Sequence, residues 1–150
     1  MDRSAWYWLG GLTVLIVVAV VLATWRHPTR FPEDTPEGVV QRYLDAVFEG
    51  DAAAATEWWS AELAGTDCSR LLRDELRFSA SSFDRAVLDE VDVDDGRAEV
   101  IVVLSPAADP FVGIYEHPAT FVLERTDRGW RIVEPPWPVE WCALEPPAEG

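Results

Sequence analysis

The segment with the clearest structural signals in this 150-residue chain is TPEGVVQRYLDAVFEGD, residues 35–51. Thr35 suits a helix N-cap, and Pro36 suits the first helical position. Apolar side chains then recur at helical spacing until Gly50, a residue that commonly ends helices. Asp51 can cap a new helix immediately afterwards. The segment therefore predicts two consecutive helices joined at a tight Gly-Asp turn.

Further along the chain, the pattern changes from helical to strand-like. The second helix is predicted to run from Ala52 to about Ser60, because four alanines favour it. A third, weaker helical stretch runs from about Cys68 to Phe78. Turn signals then separate four β-branched runs, which predict the strands Phe83–Val93, Arg97–Leu104, His117–Arg125 and Trp130–Glu134. Helices followed by strands predict an α+β fold, with about three helices packed on one face of a curved antiparallel sheet.

The chain begins with an apolar segment that predicts a membrane span. Residues 5–25 carry no charge, and a helix of that length covers roughly 30 Å, the thickness of a hydrocarbon core. Aromatic residues that favour the headgroup region lie at its ends: Trp6, Tyr7, Trp8 and Trp25. The alternative is a cleavable signal peptide cut before Thr24, although the apolar run is longer than a usual signal-peptide core. Both interpretations predict that the downstream domain is exported.

The expected organisation has four parts. Residues 1–26 form a single-pass anchor that binds the lipid bilayer through residues 5–25, and residues 27–34 form a proline-containing juxtamembrane linker. Residues 35–142 form the α+β domain, and residues 143–150 form a flexible tail.

The two cysteines indicate the compartment of the domain. Cys68 and Cys142 both lie after the apolar segment, and an even count suits one long-range disulfide in an oxidising environment. Two reduced thiols in the core are the alternative, because free cysteine is a common buried residue. A disulfide would favour an extracytoplasmic domain at the cell membrane.

The charge of the domain limits its partners. Residues 31–150 contain 26 acidic residues and nine arginines, which gives a formal charge of −17. Such a domain repels phosphate backbones and acidic headgroups, so we expect no nucleic-acid partner. A cationic partner, an atmosphere of divalent ions or simple solubility are all compatible with this charge.

Three motifs carry a resemblance to a known superfamily. They are the helix over residues 35–47, the Gly50-Asp51 junction before an alanine-rich helix, and the strand Asp127-Arg128-Gly129-Trp130-Arg131-Ile132-Val133. Together they resemble the nuclear transport factor 2-like superfamily, in particular its bacterial membrane-anchored, lipoprotein-like members. The resemblance covers about residues 35–142, nearly all of the expected exported domain, and implies a cone-shaped α+β roll. Because the superfamily includes enzymes, binding proteins and interaction modules, the fold does not choose the function.

Candidate catalytic groups are few. Isomerase and dehydratase members of the superfamily use Asp or a His-Asp pair with Tyr in the cone, which would make Tyr43, Asp45, Tyr115 and His117 the groups to consider. No spacing assigns them to such a motif. We expect Tyr43 in the core, Asp45 in solvent and His117 as an ordinary strand-end residue.

No metal-ligand set, cofactor motif, nucleophile elbow or phosphate loop is present in the sequence. An acidic run could suggest calcium, but its spacing lacks the ligand pattern of an EF-hand loop. The run consists of Asp89, Glu90, Asp92, Asp94, Asp95 and Glu99. We expect four of these residues to form the solvent-exposed face of a hairpin: Glu90, Asp92, Asp94 and Glu99.

Aromatic residues supply the candidate pocket or interface. Some of the domain's tryptophans should pack the core, and others could line a pocket or present a binding surface. The candidates are Tyr43, Trp58, Trp59, Tyr115, Trp130 and Trp137. These observations favour a non-enzymatic, membrane-tethered binding or assembly module of the bacterial cell envelope, with a protein partner at the membrane surface. The alternative is a small-ligand-binding protein or an isomerase-like or hydrolase-like enzyme that uses the cone.

Overall fold

A computed structural model describes residues 30–79, 83–106 and 116–142. The chain divides into two compact units, residues 1–30 and 31–150. The predicted anchor, the predicted tail over 143–150 and the candidate Tyr115 lie outside the described residues. Within the ranges described, no helix has the length and apolar character needed to cross a membrane.

Four helices form the first half of the domain. They are α1 (Pro36–Phe48), α2 (Ala52–Thr56), α3 (Ala61–Ala64) and α4 (Cys68–Ser79). The predicted caps of the first two are confirmed, because the Thr35 hydroxyl accepts from the Gly38 backbone N–H and the Asp51 carboxylate accepts from two N–H groups of α2. Gly50 adopts φ +75° at the junction, a left-handed conformation that glycine adopts at no steric cost.

The predicted second helix was too long. It ends at Thr56 instead of Ser60, and the separate helix α3 follows, so the domain has four helices where about three were predicted. The reason is tertiary. The Trp58 carbonyl accepts from the Ile132 N–H at 3.0 Å, and the Ser60 N–H donates to the Ile132 carbonyl at 2.8 Å. These bonds hold the segment between α2 and α3 extended against the sheet.

The second half of the domain is a four-stranded antiparallel sheet in the order β1-β2-β3-β4. The strands are β1 (Phe83–Asp94), β2 (Arg97–Pro106), β3 (His117–Thr126) and β4 (Gly129–Ile132). The predicted α+β plan and both hairpins are confirmed. Asp95 and Gly96 both have positive φ, as a two-residue hairpin turn of the preferred type requires.

The fourth strand is shorter than predicted. It ends at Ile132 rather than Glu134, and residues 133–142 follow as a proline-containing segment. This segment buries Trp137, Val139 and Cys142 against the core. Because proline cannot donate to a β-ladder, the three prolines of this segment favour irregular backbone over a longer strand.

One face of the sheet packs into the core. Along β2, alternate residues are buried from Ala98 to Leu104, whereas those between them point to the opposite, outer face. The core also takes the apolar stripe of α1, including Val40, Tyr43 and Val47. The outer face is defined here as the sheet surface that carries the alternate β2 residues Arg97, Glu99, Ile101, Val103 and Ser105.

Candidate functional site

An aromatic core cluster joins α1 to the sheet and to the segment after β4. Tyr43 is fully buried, and its ring centroid lies 5.8 Å from that of Phe121 and 6.4 Å from that of Trp59. The Tyr43 hydroxyl donates to the backbone carbonyl of Trp137 at 2.8 Å. The helix stripe presents Tyr43 inward, and the burial of Trp137 brings its carbonyl within reach of the hydroxyl.

Trp137 extends the aromatic core cluster toward β1. Its ring meets Phe83 edge-to-face with centroids 5.3 Å apart, and it lies 6.2 Å from the ring of Phe48. These are ordinary distances for packed aromatic pairs. The cluster therefore consists of Tyr43, Phe48, Trp59, Phe83, Phe121 and Trp137.

The Tyr43 hydroxyl is suited to a structural hydrogen bond rather than to proton transfer near neutral pH. Burial raises the pKa of the Tyr43 hydroxyl well above its usual value of 10.0. The hydroxyl thus stays protonated at neutral pH and serves as a hydrogen-bond donor. The buried indole N–H of Trp59 lies beside this hydroxyl and lowers its pKa, an effect smaller than that of burial. Among the described residues, this N–H forms no hydrogen bond of standard length.

Trp58 forms a second, half-buried site beside the cluster. The guanidinium carbons of Arg42 and Arg131 lie 6.0 Å and 5.9 Å from its ring centroid, within the range of cation–π contacts. Arg42 also pairs with Glu33 at 3.0 Å and donates to the carbonyls of Phe31 and Gly38. Trp58 therefore packs between the start of the domain and strand β4.

Of the remaining sequence candidates, His117 borders the aromatic core cluster, because its ring centroid lies 6.2 Å from that of Phe83. Trp130 is buried, and its ring contacts the guanidinium of Arg125 at 5.9 Å. His117 Nε2 lies 3.5 Å from a carboxylate oxygen of Glu140, and both side chains are about half exposed. Asp45 is exposed on α1. The six acidic residues of the hairpin run are all exposed, which includes the four predicted to face solvent.

The structure thus brings together three aromatic sequence candidates, Tyr43, Trp59 and Trp137, and it places His117 at the edge of the cluster beside Phe83. It adds three phenylalanines, from positions 48, 83 and 121, that the sequence analysis did not single out. The sequence shows that these phenylalanines lie at a helix end or on predicted strands. Only the tertiary packing brings the three side chains together. The sequence also did not indicate Arg42 and Arg131. These two arginines are about 90 positions apart in the chain, and only the fold brings both of them to Trp58.

The predicted disulfide is confirmed. Cys68, at the first position of α4, is bonded to Cys142, and their Cα atoms lie 5.8 Å apart. In the described part of the chain, no group of three or more His, Cys, Asp or Glu side chains is arranged to hold a metal ion.

Comparison with known proteins gives structural matches only. No protein-family model matches the chain, and no curated protein sequence matches it. Three solved structures are similar at low sequence identity. A SEC-C motif containing protein from Rhodopseudomonas palustris has a TM-score of 0.55 and 14% identity, with 69% of this chain and 79% of that chain covered.

The other two structures are named for different activities. A proposed calcium/calmodulin-dependent protein kinase type II association domain from Thiobacillus denitrificans has a TM-score of 0.54 and 16% identity, over 70% of this chain and 94% of its own. A proposed NTF2-like transpeptidase from Campylobacter jejuni has a TM-score of 0.52 and 14% identity, over 66% and 97%. These similarities concern the fold, and they show that the described domain has the nuclear transport factor 2-like fold.

Proposed function

We propose that this chain is a non-enzymatic binding or assembly module, tethered by a single N-terminal helix and placed outside the cytoplasm of a bacterial cell. The observation that carries the proposal is the structural use of the Tyr43 side chain in the core. Its hydroxyl donates to a backbone carbonyl, and its ring packs against Trp59 and Phe121. A group used in this way stabilises the fold and is not free to act on a substrate.

The proposed location rests on the disulfide and on the sequence before the domain. The Cys68–Cys142 bond is of a kind that persists in oxidising compartments and is rare in the cytosol. The apolar residues 5–25 supply a tether of suitable length. The fold does not decide the function, since it also occurs in structures named as an association domain and as a transpeptidase.

Protease treatment of intact cells tests the location. Full-length protein with an epitope tag after Gly150 is expected to lose the tag to external protease while the membrane remains sealed. A cytoplasmic protein serves as the sealed-cell control. Protection of the tag in sealed cells, or recovery of a soluble product that begins near Thr24, would contradict a tethered extracytoplasmic domain.

Complementation of a deletion strain tests the non-enzymatic proposal. Tyr43→Phe and His117→Ala are each expected to restore the cellular role if their melts show a folded domain. Glu49→Ala, at an exposed position directly after α1, is the matched control. Loss of the role in a folded Tyr43→Phe or His117→Ala protein would favour an enzyme instead.

A small-ligand-binding function is the second candidate, and one observation favours it. The Trp59 indole N–H is buried and forms no hydrogen bond of standard length among the residues that the structure describes, although the Tyr43 hydroxyl lies beside it. A buried donor left without a full hydrogen bond costs up to about 1–3 kcal/mol. A ligand carbonyl or hydroxyl could accept from it. Native mass spectrometry of the protein purified from its host tests this candidate: a bound small molecule that is lost in Trp59→Phe but kept in Trp141→Phe would support it.

A further inference from the structure

The outer face of the sheet carries an apolar patch where a solvated surface would be polar. Val87 on β1 pairs directly with Val103 on β2, which pairs in turn with Pro118 on β3. Ile101 lies two residues from Val103 on the same face. Val87 is 51% exposed, Pro118 is exposed, and Ile101 and Val103 are half-buried. These four residues are called the outer apolar stripe.

An unpartnered antiparallel sheet usually alternates apolar residues toward the core and polar residues toward water. Strand β2 follows that rule at Arg97 and Glu99 and breaks it at Ile101 and Val103. The stripe crosses three adjacent strands, which at a strand spacing of about 4.8 Å makes it about 10 Å wide. This width matches the diameter of one α-helix.

Three carboxylates border one end of the stripe. Glu90 pairs with Ile101 across the strands, and Asp92 lies directly opposite Glu99. All three are exposed and are called the acidic rim. Within the described ranges none of them forms an ion pair, and two like charges directly opposite each other on a sheet destabilise it.

The neighbouring row of the sheet does not neutralise the rim. Arg97 is engaged by Glu124 at 3.2 Å and by Glu134 at 2.7 Å. The rim charge is therefore available to a cationic partner, and a partner that neutralises it would also relieve the repulsion between Asp92 and Glu99.

From the stripe and the rim together we infer that the outer face binds a basic amphipathic helix of another protein. Apolar side chains of that helix cover the outer apolar stripe, and its lysines or arginines face the acidic rim. This inference rests on the proposed function and names the chemistry of its partner.

Charge complementarity selects this occupant over two others. A second copy would bring another acidic rim and another domain of formal charge −17 to the same place. An anionic lipid surface would meet the rim with like charge. Neither repulsion applies to a basic helix.

The test measures binding of full-length protein in detergent micelles to a fluorescent 18-residue amphipathic helix made of leucine and lysine. A peptide of the same composition with scrambled order is the ligand control. Two variants are each expected to weaken binding of the amphipathic peptide about tenfold: the rim variant Glu90→Gln/Asp92→Asn/Glu99→Gln and the stripe variant Val87→Ser/Val103→Ser. The scrambled peptide is expected to bind the wild type as weakly as the amphipathic peptide binds these variants.

A matched control distinguishes binding at the outer face from general attraction of the basic peptide to the acidic domain. Asp45→Asn/Glu49→Gln/Glu57→Gln removes the same charge from exposed positions on the helical side and is expected to change affinity less than about twofold. Thermal melts confirm that each variant is folded. Equal weakening by this control, or unchanged binding by the rim and stripe variants, would overturn the inference.

Two further outcomes would also overturn it, because they assign the stripe to another occupant. One is a dimer, detected by sedimentation in detergent, that the stripe variant dissociates. The other is binding of the protein to phosphatidylglycerol vesicles that the stripe variant abolishes. Failure of the peptide test leaves the protease-treatment result unchanged, so the two proposals fail separately.

Discussion

At the scale of single residues, Tyr43 links three parts of the domain. It lies on α1, packs on Phe121 of β3 and donates to the carbonyl of Trp137. Removing only its hydroxyl leaves that buried carbonyl without this donor, which costs about 1–3 kcal/mol. We therefore expect Tyr43→Phe to lower the free energy of unfolding by this amount in urea titrations. The exposed Asp45→Ala variant on the same helix should change it by less than about 0.5 kcal/mol, and equal effects would contradict the structural role.

The raised pKa of Tyr43 predicts a pH dependence. In the unfolded chain the hydroxyl ionises near pH 10, whereas burial keeps it protonated to higher pH in the folded state. Its contribution to the free energy of unfolding is therefore fully present below pH 10 and is lost as the pH rises toward the folded-state pKa. The difference in stability between wild type and Tyr43→Phe should narrow above pH 10. A constant difference up to pH 11 would contradict the assignment.

Two tryptophans provide a matched pair for the core. Trp130 is 5% exposed and Trp141 is 61% exposed. Truncation of a buried tryptophan costs about 3–5 kcal/mol, so Trp130→Ala should lower the melting temperature strongly. Trp141→Ala should leave it nearly unchanged. A normal melt for Trp130→Ala would contradict the placement of this residue in the core.

At the scale of elements, the segment before α1 is attached to that helix. The Phe31 N–H donates to the Gln41 side chain, and Arg42 donates to the Phe31 carbonyl. Gly38 permits this contact, because a Cβ at that position would lie 1.8 Å from the Pro32 carbonyl oxygen. Helix α1 therefore uses a glycine within its first turn, against helix propensity, for the close approach of the backbone.

This contact reverses the usual effect of replacing a helical glycine. Alanine in a helix is normally favourable by about 1 kcal/mol, but Gly38→Ala must displace Pro32, and we expect a net loss of about 1–3 kcal/mol. Gly65→Ala, where the nearest atoms lie at ordinary contact distances, is the control. Chemical denaturation of both variants checks this, and a stabilised Gly38→Ala protein would show that the segment is not held there.

At the scale of the whole molecule, the disulfide joins the start of α4 to the segment after β4 across 74 positions of the chain. Closing so long a loop restricts the unfolded chain and can stabilise by up to about 4 kcal/mol. Reductant should therefore lower the free energy of unfolding of the wild type, and the Cys68→Ala/Cys142→Ala protein should not respond to it. Alkylation of both thiols in the denatured, unreduced wild type would show that the bond is absent.

The amino-acid sequence by itself determined those features that depend on local chemistry. The caps at Thr35 and Asp51 and the hairpin turn within Asp94-Asp95-Gly96 each follow from a few neighbouring residues, and the structure has them. The sequence also limited the disulfide to one pair, because the chain contains two cysteines. Of the candidate site, it identified Tyr43, Trp59 and Trp137 as aromatic residues of interest without showing that they meet.

The tertiary structure alone decided features that join distant residues. Helix α2 ends early because β4 binds the backbone of residues 58–60, an interaction that helix propensity cannot anticipate. Tyr43 meets the Trp137 carbonyl 94 positions away, and the outer apolar stripe exists only because register places Val87, Val103 and Pro118 in one row. Local sequence fixes backbone conformation over a few residues, whereas partners, pairings and surfaces depend on how the whole chain packs.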